Sequence, residues 1–216
     1  MITRGDHSKN ISKGCDHMRR RLIGVLMVIT VLLMAQSLLV DGGVSYQGSI
    51  TPPVQTELIP PEKLSIKGDE GDVAIKLLAE YKLKGVVKAK KKYNDYPSQI
   101  SKYDIAIAWG DLNRKEYDKH IKYTQGSRWY YYNYSRDFPE DGSFIAGNSA
   151  NVHLVHSNEE ILDELRKIRR NDYVNIEGYL IEAVFPNGPW RSSLTRTDTG
   201  DGACEILYVT KVDIVN

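Results

Sequence analysis

The chain has 216 residues, 41% hydrophobic and 26% charged, with a net charge of +1, a balance that excludes a disordered tail and leaves room for one ordinary domain plus appendages. The first 21 residues hold six basic side chains (Arg4, Lys9, Lys13, Arg19, Arg20 and Arg21) against two acidic ones (Asp6 and Asp16). The remainder carries 23 basic against 26 acidic residues. A folded part of that sign argues against a nucleic-acid partner.

Leu22 to Val40 is a run of nineteen residues without a charge, in which only Thr30, Gln36 and Ser37 are polar. As a helix it reaches about 28 Å, enough to span a bilayer's hydrocarbon core once. Arg19–Arg21 before it and Asp41 after it place the N-terminus in the cytoplasm and the rest outside. A cleaved signal peptide ending near Ala35 is the alternative, but the apolar run continues past that residue without a clear cleavage site. Residues 1–21 are thus expected to be a basic cytoplasmic segment and residues 22–40 a transmembrane anchor, with Met18 itself an ordinary start for such a segment. The expected location is the bacterial cytoplasmic membrane, with the C-terminal domain outside the cytoplasm. In that arrangement Cys15 and Cys204 lie on opposite sides of the bilayer and cannot pair.

Residues 41–72 hold five glycines and four of the eight prolines and read as a linker. The exported domain is expected over residues 73–216. From Tyr81 the chain alternates, with Tyr81, Leu83, Gly85, Val87 and Ala89 on one face and Glu80, Lys82, Lys84, Lys88 and Lys90 on the other, a half-buried strand with a solvated lysine face. "YDIAIAWG" (Tyr103–Gly110) suits a buried strand or turn. "NRKE" (Asn113–Glu116) has a capping pattern for a brief helix reaching Tyr123.

"SRWYYYNYS" (Ser127–Ser135) favours a strand with Trp129 and Tyr131 on one face and Tyr130, Tyr132 and Tyr134 on the other. After the short strand "NVHLVHS", Ser157 and Glu160 form a capping box, Ile161, Leu162, Leu165 and Ile168 make an apolar helical stripe, and cations gather at its end. A strand follows through Val174, Ile176, Gly178 and Leu180, with Gly178 a bulge or bend, then a turn at "PNGPW" and a central last strand over Glu205–Val215. The fold expected is α+β: a mainly antiparallel, curved sheet or partly closed OB-like barrel with one or two packed helices, behind an N-terminal transmembrane helix.

"WRSSLTRTDTGDGACE" (Trp190–Glu205) concentrates the chain's polar chemistry. Asp198-Thr199-Gly200 has the wording of an aspartic-protease triplet but not its apolar setting. Asp198, Asp201 and Glu205 miss the rhythm of a calcium loop. His153 and His156, three apart on a strand, point to opposite faces and make no zinc pair. A cysteine hydrolase pairing Cys204 with either histidine has no known spacing behind it, and burial of Cys204 as a small hydrophobe is the plainer reading. What survives is anion capture by Arg191 and Arg196 with Ser192, Ser193 and Thr195 as donors, against a clasp in which the arginines pair with Asp198, Asp201 or Glu205; the clasp is the favoured reading, and Arg191, shielded by Trp190, is expected to make it. Asp198, His153 and Trp109 complete the candidate ligand-binding set. No metal and no cofactor are expected.

The wording "DIAIAWG", "RWYYY", "NSANVHL", "NIEGYL" and "WRSSLTRTDTGDGACE", in this order, resembles an uncharacterised bacterial family of N-terminally membrane-anchored envelope proteins. The resemblance covers about Tyr81 to Asp213. It implies an envelope protein and carries no activity or functional residue with it. The extension before Met18 and the stretch "KAKKKYNDY" depart from the family's pattern. Together these readings point to a single-pass envelope protein whose exported domain binds an envelope partner or a small anionic ligand without catalysis. The alternative is a hydrolase using Cys204 or the Asp198 loop.

Overall fold

The computed structural model describes residues 46–196, 200 and 202–215. Leu22–Val40, Cys15 and Asp198 lie outside them, and no helix among the described residues is long and apolar enough to cross a membrane. The described elements are β1 (Val54–Gly68), β2 (Gly71–Lys92), β3 (Tyr103–Ala108), α1 (Lys115–Asp118), β4 (Ile121–Gly126), β5 (Trp129–Tyr134), α2 (Gly142–Gly147), β6 (Ser149–His156), α3 (Glu159–Lys167), β7 (Tyr173–Phe185), β8 (Gly188–Arg191) and β9 (Glu205–Val215).

The architecture is mostly antiparallel sheet with few helices. Seven strands pair in the order β1-β2-β3-β6-β9-β7-β8, and β2 also pairs with β7. That last pairing turns β2, β3, β6, β9 and β7 into a partly closed ring. β6 and β9 run parallel; their neighbours are antiparallel. β9 has partners on both edges, which is why its start is apolar on both faces. All five ring strands send alternate residues into one cluster, including Leu83, Ile105, Ile107, Val152, Leu154, Ile176 and Leu207. Leu162 and Leu165 of α3 join it, so the helix closes the ring's core with its apolar stripe. The other face feeds a second cluster of Ile75, Val155, Ile181, Ala183, Phe185 and Ile206, against which Trp190 packs; in β2 the register shift between Leu77 and Ala79 turns Ile75 to that face although it shares the parity of Leu83.

Several local expectations are met and others corrected. The register between β7 and β9 shifts at Glu177/Gly178, and a Cβ at Gly178 would lie inside the van der Waals envelope of the Tyr208 carbonyl oxygen. Residues 54–68, expected as linker, form β1 instead. Their strand pattern is interrupted by Pro60 and Pro61, which fall in the register break between Glu57 and Glu62. α1 stops at Asp118 because Ile121 already begins β4. The cap of α3 is Asn158, whose side chain accepts from Ile161 N at 2.9 Å, rather than the Ser157–Glu160 box.

The solvated lysine face holds for Lys82 and Lys84 and fails for Lys88 and Lys90. The register with β3 shifts between Val87 and Ala89, and beyond that irregularity both lysines meet protein instead of water. Lys88 is buried with its Nζ 2.7 Å from Asp118 Oδ1. Lys90 Nζ donates to the carbonyl oxygens of Leu165, Arg166 and Ile168 at 2.7, 2.9 and 2.8 Å, satisfying the acceptors at the end of α3.

Candidate functional site

The segment between β3 and β6 forms a lobe with its own small core of Leu112, Ile121, Phe138 and Ile145. Within it β4 and β5 make a hairpin joined by Ser127 and Arg128, both at positive φ (50° and 69°). A two-residue hairpin loop of this twist needs left-handed backbone at both positions, usually supplied by Asn or Gly. Holding Ser and Arg there costs about 1–3 kcal/mol each. The contacts of Arg128 offset that strain.

Arg128 reaches from the hairpin tip onto the outward face of the ring. Its Nε and Nη2 donate to Asp95 at 2.9 and 2.5 Å, its Nη1 to Asp104 at 2.6 Å, and Nη2 also to Ser101 O at 2.9 Å. The guanidinium lies 4.3 Å from the Tyr93 ring centroid. Hydrogen bonds from Arg128, with a smaller opposing effect of burial, hold Asp95 down at about 2. Asp104 is fully buried in β3. Its second oxygen lies 2.9 Å from His153 Nδ1, a close approach that is off the hydrogen-bond line. The His153 ring packs against Trp190 with centroids 4.9 Å apart.

Two hollows flank this cluster and share Trp129, Gly200 and Cys204. The first, of about 180 Å³, has a wall of Trp109, Trp129, Tyr130 and Tyr132, with Arg196 and Glu205 also at its surface. Burial pushes the Tyr130 phenol up to about 12, so it stays a neutral group beside Ser149. The second, of about 190 Å³, is bordered by Arg128, His153, Trp190 and Arg191. Cys204 is half-buried between them, its Sγ 3.9 Å from Asn151 Nδ2.

The residues singled out from sequence are placed as follows. Trp109 and Arg196 border the first hollow, His153 and Arg191 the second, so the two arginines do not share a hollow. Arg191 donates to Glu182 Oε2 at 2.7 Å, and Lys76 holds the other oxygen of the same carboxylate. These two donors, Lys76 foremost, keep the Glu182 carboxyl below the usual range. The clasp expected of Arg191 is therefore made with a β7 residue, Glu182; Asp198 and Asp201 lie outside the described residues. Arg196 Nη1 donates to Pro53 O at 3.1 Å. Ser192 and Ser193 border neither hollow among the described lining residues. Ser192 Oγ accepts from Ile206 N at 3.1 Å, and Ser193 Oγ donates to Thr195 O at 2.9 Å, so both brace the approach to β9. Asp198 lies outside the described residues.

Arg128, Asp104, Asp95 and Asn151 escaped the sequence reading. The available signals were a lone acid in the apolar strand "YDIAIA" and an arginine at the turn between two strands. No family model, no curated protein and no solved structure matches this chain.

Proposed function

We propose that the chain is a single-pass bacterial envelope protein whose exported domain binds a small ligand that joins a flat apolar ring to an anionic group. The observation that carries this reading is the first hollow, which Trp109, Trp129, Tyr130 and Tyr132 line together with Arg196. Rings are recognised there by stacking and area burial, and an anion by Arg196. The fold lends support. The ring order β2-β3-β6-β9-β7, with β6 parallel to β9 and α3 between β6 and β7, supports reading the partly closed ring as an OB-type barrel, a fold whose outer face and loops serve as binding surfaces. The acidic excess after residue 21 turns this away from nucleic acid.

The test uses the full chain in detergent with naphthalene-2-sulfonate as probe and tryptophan fluorescence as readout. Saturable quenching is expected, weakened about tenfold or more by Arg196→Ala while the melting temperature stays put. Quenching that does not saturate, or is indifferent to Arg196→Ala, would overturn the ligand reading. Membrane location is checked separately. The chain is expected to stay with membranes through high salt and alkaline carbonate, and its release by either would refute the anchor.

A further inference from the structure

Side by side in the ring, β3, β6 and the approach to β9 bring three reactive groups together. Asp104 stands opposite His153 across the β3–β6 ladder, and His153 stands opposite Ile206 across β6–β9. Cys204, just ahead of β9, lies beside them, where the Asn151 amide of β6 meets Sγ at 3.9 Å. His153 and Cys204 border the same hollow. The imidazole's Nδ1 side is turned to a carboxylate, 2.9 Å from Asp104 Oδ2, and Asp104 is itself fixed by Arg128 at 2.6 Å. The His153 side chain is only 4% exposed, so the ring is held by Asp104 and Trp190 rather than by water. A thiol, an imidazole and a buried acid behind the imidazole are the parts of an activated nucleophile. Contacts of this kind commonly shorten and align only around bound substrate.

We infer that this hollow is a thiol acyl-transfer site that hydrolyses esters or thioesters, with Cys204 as nucleophile, His153 as base and acid, and Asp104 and Arg128 as positioning residues. The inference stands apart from the ligand reading: it uses the second hollow, which adjoins the first through Trp129, Gly200 and Cys204. His153 takes the Sγ proton, and the sulfur bonds to the substrate's carbonyl carbon. One Asn151 amide proton is engaged by Arg128 O at 2.9 Å, and the other, directed at Sγ in the resting site, passes to the oxyanion forming beside the sulfur. The carbonyl carbon's bond to the leaving oxygen or sulfur then breaks, and the leaving group takes the proton from His153. Water, giving a proton to His153, adds to the resulting thioester. The carbon–sulfur bond breaks, the carboxylic acid departs and the proton returns to Sγ. The net change is ester or thioester plus water to acid plus alcohol or thiol.

The experiment uses the full chain carrying Cys15→Ser in detergent, with p-nitrophenyl acetate as probe. A burst of p-nitrophenolate equal to the protein present is expected, with an acetyl group mapped by mass spectrometry to Cys204. His153→Gln should slow that burst by about 10²–10⁴-fold. Because His153→Gln disturbs a buried contact, the second variant is Cys204→Ser, which should melt like its parent, lose the burst and still bind naphthalene-2-sulfonate. Iodoacetamide should alkylate Cys204 at pH 6.5 about tenfold faster in the parent than in folded Asp104→Asn. No burst, an acetyl group elsewhere, or alkylation indifferent to Asp104 and His153 overturns the inference. Retained sulfonate binding in that case leaves the ligand reading standing, and its loss in the parent removes the ligand reading alone.

Discussion

The two faces of β3, β6 and β9 are built from alternate residues of the same strands and behave as different materials. Turned inward, Ile105, Val152 and Leu207 belong to one large hydrophobic cluster. On the outward face, Asp104 and His153, with Cys204 just ahead of β9, meet charge, aromatic rings and a cleft. Inside, any well-sized hydrophobe satisfies the packing, so stability there is spread over many interchangeable contacts. Outside, a few specific pairs carry the structure, and replacing one member strands the other. A strand's period of two is what lets one segment serve both purposes.

The contrast is broken most severely from within. Leu165→Asp puts an unpaired carboxylate into the inner cluster at a fully buried position, a change of several kcal/mol, and the cooperative melt should disappear. A melting curve like the wild type's would show that α3 presents another face. On the outside, Asp104→Asn keeps shape but removes the charge that faces Arg128 and His153. The expected loss is about 3 kcal/mol, below the upper range for buried pairs because Arg128 keeps Asp95, and urea titration reads it directly. The smallest effect is at the rim of the same cluster. Asp95 titrates at about 2 in the fold against an ordinary 3.8, so its contribution is complete above 3.8 and is lost as pH falls through 2. The melting-temperature gap between wild type and Asp95→Asn should therefore be constant above pH 5 and close progressively on acidification. A gap that widens in acid would reverse the sign of this linkage.

How much of this was legible in the sequence follows the same division. The apolar stripe of α3, the bend at Gly178 and the central place of β9 all rest on local period or residue type, and they were readable. β1 was not, because Pro60 and Pro61 sit in its register break and give a strand the composition of a linker. Lys88 and Lys90 were misread because an irregularity at Val87/Ala89 reverses what alternation alone assigns. The Asp104–His153 approach joins residues on neighbouring strands whose partnership is written in no local pattern. Arg128 hides for a similar reason: its turn uses Ser-Arg where a hairpin normally advertises itself by Asn-Gly. Arg191 was recognised as a clasp, and its partner Glu182 was missed because β8 folds back on β7.

The pairing that closes the ring also sets the order in which the chain can gain stability. β2 meets β7 in a ladder from Ala74 with Val184 to Val86 with Tyr173, so the first long strand waits for one about 110 residues further on at its far end. Until β7 arrives, one edge of β2 is an open row of amides and carbonyls, and the side chains destined for the inner cluster stay wet. Closing so long a loop precedes most of the favourable contacts, which places this domain among slow, topology-limited folders. As the chain is synthesised from its N-terminus, the interval between the emergence of β2 and that of β7 is the window in which the domain is exposed to edge-to-edge association.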